Sequence, residues 1–472
     1  MKTYLASLLI VGCCVFFSGC PKIDFGTERI MSPPIISAEQ EGRKAALKRY
    51  VTEKLKEFVA DPKLVYPAAG THVMPYIEDW GTDGKRTVFV LFSLKSKERV
   101  KETIKIGMYK EVNGSWEIAD CKDISSVGGI KLEDISIRQM KKDANKNILV
   151  SYSVLGRAEK TLTIWEYDDA GIREAVPKSI NFFDKVEADI DDDGCIEVVY
   201  IRRPKKGGKG PTIQRLKLGD SQSRSMPLMG EVDRSSQDAD SSNMVINRLE
   251  GKRSIIFVNE KIYDEDANSL MMATEVIEYR DNSFFNKTYW GDQESGRVVF
   301  DKIDFTLRDE RIELCDIDGD GCLEVPKEVR SDQPDEEDLK VIEWYSFCAA
   351  EPELRAKTFE NLATPYRLVL PKKWWSIAKE ESEFGGDGGP KVVYEIQRKS
   401  KGSSNLLIIK DAGTKRELLA IYVRPVGWKP KKDTYEEFGR TKDCVYFVWL
   451  PDEPDAAGIS KVQLQELLKI GV

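Results

Sequence analysis

A ten-residue phrase that occurs twice constrains this chain more than any other feature. Residues Asp189 to Val198 read Asp-Ile-Asp-Asp-Asp-Gly-Cys-Ile-Glu-Val, and Asp316 to Val325 read Asp-Ile-Asp-Gly-Asp-Gly-Cys-Leu-Glu-Val, with eight of the ten positions identical. Carboxylates at positions 1, 3, 5 and 9 around a Gly at position 6 are the oxygen donors that a hard cation such as Ca²⁺ takes from a short loop, and position 7 adds a backbone carbonyl. The candidate ligands are therefore Asp189, Asp191, Asp193, Cys195 through its carbonyl, and Glu197. In the second copy they are Asp316, Asp318, Asp320, Cys322 and Glu324. An EF-hand would also need a bidentate Glu at position 12, where this chain has Tyr200 and Lys327, so neither copy is an EF-hand. Without a counter-ion, three or four like charges would crowd one bend at contact distance, which is costly. A structural ion is expected, because the apolar residue at position 8 and Val at position 10 flank the acid at 9 and carry strand alternation straight out of the loop.

The same phrase works as a ruler. Weak copies place position 10 at Val88, Leu149, Val198, Ile255 and Val325. Roughly twenty residues after each, an alternating strand ends at Tyr109, Tyr167, Leu218, Tyr279 or Tyr345, and a turn follows. The turns are Asn113-Gly114, Asp168 to Gly171, Gly219 to Ser221, Asp281 to Ser283 and a looser one near Ala349. A steady offset inside a variable period describes one small antiparallel sheet with elastic surface loops. Five such units predict a mainly β chain: a β-propeller of about five antiparallel blades over residues 63–362. From 363 to 472 the texture changes to a small α+β domain, with strands near 392–396, 406–410, 418–423 and 445–450 and a closing helix from about Ser460 to Ile470.

The acidic phrase followed by a strand resembles the FG-GAP or VCBS-type repeat of integrin α-chain propellers, as found in lipoproteins of Gram-positive bacteria. Only two of the five repeats carry the full motif. The resemblance implies calcium-stapled blades and a chain that binds a ligand through its loops.

The front end agrees with that setting. Lys2, an apolar run from Tyr4 to Phe17, and Phe17-Ser18-Gly19-Cys20 read as a lipobox, which implies a signal peptide over 1–20 and a diacylated Cys20. Two acyl chains suffice for a stable membrane anchor. Residues 21–62 supply a tether and then an amphipathic helix from about Ala38 to Ala60. The expected location is the extracellular face of the cell membrane, with a protein or glycan of the cell envelope as ligand. A formal net charge of −8 leaves no basic field to gather phosphates, so no nucleic-acid partner is expected. The basic, Gly-rich run from Arg202 to Pro211 reads as a hairpin tip. Of the cysteines beyond the anchor, Cys195 and Cys322 share one loop position and read as small buried residues; Cys315 with Cys322 is the pair that flanks a single loop.

Catalytic motifs are lacking. The single His is His72, no Gly-x-Ser-x-Gly elbow exists, and no His follows Gly219-Asp220-Ser221. Trp374 and Trp375 form an adjacent pair, of which one is expected in the core. The expected function is non-enzymatic, a lipid-anchored binding protein. The alternatives are a carbohydrate-active hydrolase or lyase using two anonymous carboxylates, and a structural assembly factor of an envelope complex.

Overall fold

A computed structural model describes residues 49, 53, 63–64, 76–80, 86–95, 102–112, 115–125, 130–142, 144–202, 211–220, 224–228, 243–249, 253–264, 269–288, 306–329, 339–349, 351–378, 392–398, 405–428, 435–452 and 458–471. Cys20, the tether, nearly all of the predicted amphipathic helix, His72 and most of the basic run lie outside the described residues. The chain divides into two compact units, residues 1–135 with 169–172 and residues 136–168 with 173–472.

The fold is mainly β, and its antiparallel sheets follow the ruler. The first sheet, in the first unit, orders Lys63–Leu64, Arg86–Lys95, Glu102–Val112 and Ser115–Ser125, with Tyr76–Trp80 also on Arg86–Lys95. The second runs Ile180–Phe182, Lys160–Asp168, Asn147–Val154, Ile130–Arg138. The third is a four-stranded meander of Lys185–Ala188, Glu197–Arg202, Thr212–Leu216 and Arg224–Pro227. The fourth orders Asn243–Leu249, Arg253–Asp264, Ser269–Arg280 and Ser283–Asn286, and the fifth orders Glu324–Val329, Leu339–Ser346, Glu353–Asn361, Tyr366–Val369 and Leu468–Ile470. Val88, Leu149, Val198, Ile255 and Val325 each sit in the strand the ruler assigns to them. The turns within Asp168 to Gly171 and Asp281 to Ser283 fall where the sequence places them, while Asn113-Gly114 lies outside the described residues. Asp281 and Asn282 form a two-residue hairpin turn with φ of 48° and 59°, the left-handed pair that a type I′ turn demands.

These strands are apolar on both faces because successive sheets of the second unit stack in chain order. Val198 and Tyr200 pack on the second sheet with Leu149, Leu162 and Ile164. Their neighbours Val199 and Ile201 point the other way, onto Ile256, Val258 and Ile277 of the fourth sheet. Ile255 and Phe257 of the fourth sheet in turn meet Val325 and Phe347 of the fifth. Side chains alternate in direction along a strand, so a strand sandwiched between two sheets reads as a continuous hydrophobic run.

The C-terminal region is a six-stranded sheet ordered Ile377–Ala378, Val392–Arg398, Asn405–Asp411, Glu417–Pro425, Cys444–Trp449 and Glu436–Arg440. It shares one core with the fifth sheet, where Phe359, Tyr366 and Leu368 meet Leu419, Ile421 and Tyr446. Trp374 is fully buried in that core, and Trp375 packs beside it while donating its indole N–H to the Leu370 carbonyl at 3.0 Å. The closing helix is shorter than its periodicity predicts. It spans Lys461–Leu467 behind a Ser460/Gln463 capping box, and Leu468–Ile470 is instead a strand paired with Tyr366–Leu368. Leu468 and Ile470 face the shared core while Lys469 faces solvent, a two-residue period that satisfies a strand as well as a helix end.

Candidate cation site

Both acidic loops fold as the spacing requires. The Gly at position 6 is left-handed in each, with φ of 85° at Gly194 and 86° at Gly321. Position 4 is left-handed too, with φ of 61° at Asp192 and 78° at Gly319, so the one acid-to-Gly difference between the copies falls where Gly is the less strained residue. The position 1 carboxylate organises the turn. Asp189 accepts the amides of Asp193 at 3.1 Å and Gly194 at 3.0 Å, and Asp316 accepts those of Gly319, Asp320 and Gly321 at 2.7, 3.0 and 2.9 Å. Position 5 accepts the amide of position 7, Asp193 from Cys195 at 2.9 Å and Asp320 from Cys322 at 2.8 Å. Position 9 reaches back to the amide of position 2, Glu197 to Ile190 at 3.0 Å and Glu324 to Ile317 at 2.9 Å. Cys195 and Cys322 are buried, as small residues at the loop's return should be.

Oxygens able to hold a metal ion converge in both loops, but from different acids. Asp189, Asp191 and Glu197 bring one oxygen each to within 4.8 Å of one another in the first loop, and Asp316, Asp318 and Asp320 do so in the second. Asp193 is absent from the first cluster and pairs with Lys217. Glu324 is absent from the second, although its buried carboxyl feels all three Asp charges.

The two loops differ decisively in their counter-charges. The first is neutralised from within. Arg215, almost fully buried, donates Nη2 to Glu197 Oε1 at 3.0 Å and also pairs with Asp191, while Nη1 bonds Tyr279 and reaches Asn282 at 2.9 Å. Lys217 adds Nζ contacts to Asp191 at 2.7 Å and Glu197 at 3.2 Å, besides Asp193. Burial works against the Arg215 charge, yet hydrogen bonding and attraction to Glu197, with Tyr279 and Asp191 behind it, raise its pKa and hold it protonated. Burial pushes the Glu197 carboxyl up, while the Ile190 amide, Arg215 and Lys217 pull it down.

In the second loop the corresponding positions are neutral. Arg215 pairs with Val199, one residue past position 10, and the residue paired one past position 10 in the second copy is Trp344, opposite Pro326. Glu324 itself faces Ser346, the place that Lys217 takes beside Glu197. Arg355 reaches only the outer oxygens, Nε to Asp318 at 2.9 Å and Nη2 to Asp320 at 2.5 Å. Glu324 is left fully buried with Oε1 lacking any hydrogen-bond partner. Burial first, and then Asp318, Asp320 and Asp316, push its carboxyl up to about 7 against the single opposing amide of Ile317. A cation is the missing partner that fits: the donors are all oxygens, three carboxylates already face one point, and a fourth waits buried beside them. Sequence reasoning found every acid and missed Arg215 and Lys217. Their signal was two cations at alternate positions where the second strand after the first loop ends.

All six described cysteines are free thiols. The Cys315–Cys322 pairing that the shared loop suggests does not form. Cys315 instead accepts from Arg367 Nη1 at 3.3 Å on the far side of the ladder, where it bridges Glu324.

No protein-family model matches the chain, and no curated protein matches its sequence. Among solved structures, the chain is similar to a rhamnogalacturonan lyase YesW at 12% identity, covering 75% of this chain and 69% of the other with a TM-score of 0.29. It is also similar to a Penicillium chrysogenum α-L-arabinanase solved with arabinobiose, at 9% identity over 82% of this chain and 97% of the other, with a TM-score of 0.19. Likenesses this weak leave the reading of the site to its own geometry.

Proposed function

We propose that this chain is a lipid-anchored envelope binding protein whose stacked sheets are FG-GAP/VCBS-type propeller blades, stapled by one calcium ion in the second acidic loop. The observation that carries the cation reading is the orphaned, buried Oε1 of Glu324 beside Asp316, Asp318 and Asp320. Asp316, Asp318, Asp320 and Glu324 would hold the ion, with the Cys322 carbonyl as a further oxygen. The first loop keeps the same scaffold and replaces the ion with Arg215 and Lys217. The serial face-to-face stacking of antiparallel sheets supports the blade reading, since blades bury their faces against their neighbours. The ion closes a strand-connecting turn, so its role is structural and the loops remain available for a protein or glycan ligand.

Equilibrium dialysis of the folded chain against Ca²⁺ is expected to give one bound ion per chain. Asp318→Ala removes it and Asp191→Ala leaves it in place. Two ions, or loss in Asp191→Ala, would restore the first loop as a metal site; no binding at millimolar Ca²⁺ would end the cation reading.

The anchor is tested separately. Metabolic labelling with a palmitate analogue is expected to mark the wild-type chain and to disappear in Cys20→Ala. Label that persists in that variant moves the anchor to another residue.

A further inference from the structure

We propose that Cys322 and Cys348 are a disulfide-forming pair that fastens the return limb of the second acidic loop to the neighbouring strand. The ladder between Glu324–Val329 and Leu339–Ser346 begins with Glu324 opposite Ser346. Cys322 and Cys348 each lie two residues beyond that pair, so the same register, extended past the strand ends, would set them opposite one another. Residues directly opposite in an antiparallel pair point to the same face with Cα atoms about 4.5–5.5 Å apart. That lies inside the roughly 4.4–6.8 Å that a disulfide spans. Burial first, and then the neighbouring Cys348 thiol and Asp320, push the Cys322 thiol up, as two thiols set side by side would.

Both partners are held in place by bonds of their own backbone or at their neighbours' carbonyls. The Cys322 amide donates to Asp320 at 2.8 Å. The Cys348 amide donates to Ser346 Oγ at 3.4 Å, and Lys287 of the fourth sheet donates to the carbonyls of Phe347 and Ala349, one on each side of Cys348. Cys348 packs against the core formed by Ile255, Phe257, Val325 and Phe347. The arrangement is private to the second loop. In the first, Val198 faces Leu216, so the same register carries Cys195 to Gly219, where no second thiol exists.

The chemistry needs an external oxidant, a low-molecular-weight disulfide of the glutathione type. Cys322 is buried and Cys348 is half-buried, so Cys348 is the sulfur an oxidant reaches first. Its thiolate attacks one sulfur of the external disulfide, forming a mixed disulfide and expelling one thiolate. The Cys322 sulfur, losing its proton, then attacks Cys348 and expels the second. Two protein thiols are oxidised and one external disulfide is reduced to two thiols. Because Cys322 is position 7 of the loop, the bridge also fixes the carbonyl that faces the proposed ion; that consequence rests on the cation reading, whereas the bridge itself does not.

The test is a peptide map of the full chain after equilibration with oxidised glutathione, with alkylation in denaturant. The expected result is a cross-linked peptide joining Cys322 to Cys348, with Cys195 and Cys315 alkylated. The bridge should persist in Cys315→Ser. Oxidation should raise the melting temperature by about 5 °C in the wild type and not in Cys348→Ser. Complete alkylation of Cys322 in the oxidised chain, or its linkage to Cys315, overturns the proposal. A bridge that forms in a chain that binds no Ca²⁺ in either redox state supports the disulfide and defeats the cation reading alone.

Discussion

Arg215→Met is expected to destabilise the chain by about 3–5 kcal/mol in chelator, the usual cost of removing one partner from a buried ion pair. The guanidinium is nearly inaccessible and serves Glu197, Asp191, Tyr279 and Asn282 at once, and its Cζ lies 4.8 Å from the Tyr279 ring centroid. Without it, Glu197 keeps only the Ile190 amide and Lys217 against the charges of Asp189 and Asp191. The packing volume lost is small, since Met fills much of the same space, so the loss reports charge. Calcium should restore part of it, because clearing Arg215 leaves Asp191 and Glu197 with Lys217 as their one remaining cationic partner. Arg215→Lys should fall between, as an ammonium cannot serve several partners with a planar fork. The measurement is urea denaturation at pH 7.5 with calcium and with chelator. A loss of equal size in both would show that the first loop's acids do not converge on a cation, and no loss at all would remove Arg215 from the account of stability.

Glu324→Gln is expected to act in the opposite direction. The folded-state pKa of Glu324 is raised from 4.5 to about 7. A group raised in this way favours the fold fully below pH 4.5, and its contribution is lost as pH climbs through 7, where the buried carboxyl must ionise beside three Asp charges. A shift of that size corresponds to roughly 3 kcal/mol. In chelator the wild type should therefore lose stability between about pH 4.5 and 7, while Glu324→Gln, which retains an oxygen for the Ile317 amide, should not. At pH 8 in chelator the variant should be the more stable protein. Calcium reverses the order, since an ion favours the carboxylate and Gln offers it only a neutral oxygen. Denaturation midpoints of both proteins from pH 4.5 to 8, each with and without calcium, check all of this. Superimposable profiles would mean that Glu324 ionises at no cost and is not poised for a cation.

The mainly β content and the antiparallel strands were legible because their signals are local. Alternation marks a strand wherever it occurs, and the acidic phrase, even in its degenerate copies, marks the step from loop to strand. The same locality explains the misreading of the closing helix, where Leu468, Lys469 and Ile470 fit a helix end and a strand equally well. Pairing with Tyr366–Leu368, far away in the chain, settled it.

The repeated phrase by itself determined two turns of the same shape, each with a left-handed Gly at position 6, a position 1 carboxylate closing the bend and a Glu returning at position 9. Those features depend on residues within ten positions of one another. Only the tertiary structure decided that the two turns are electrostatically unlike. Whether an acid finds Arg215 or Trp344, Lys217 or Ser346, is a matter of strand register, and register is set by how whole sheets bury their faces. Two loops that match at eight of ten positions thus end with one holding its own cations and the other holding a buried, unpartnered carboxylate oxygen.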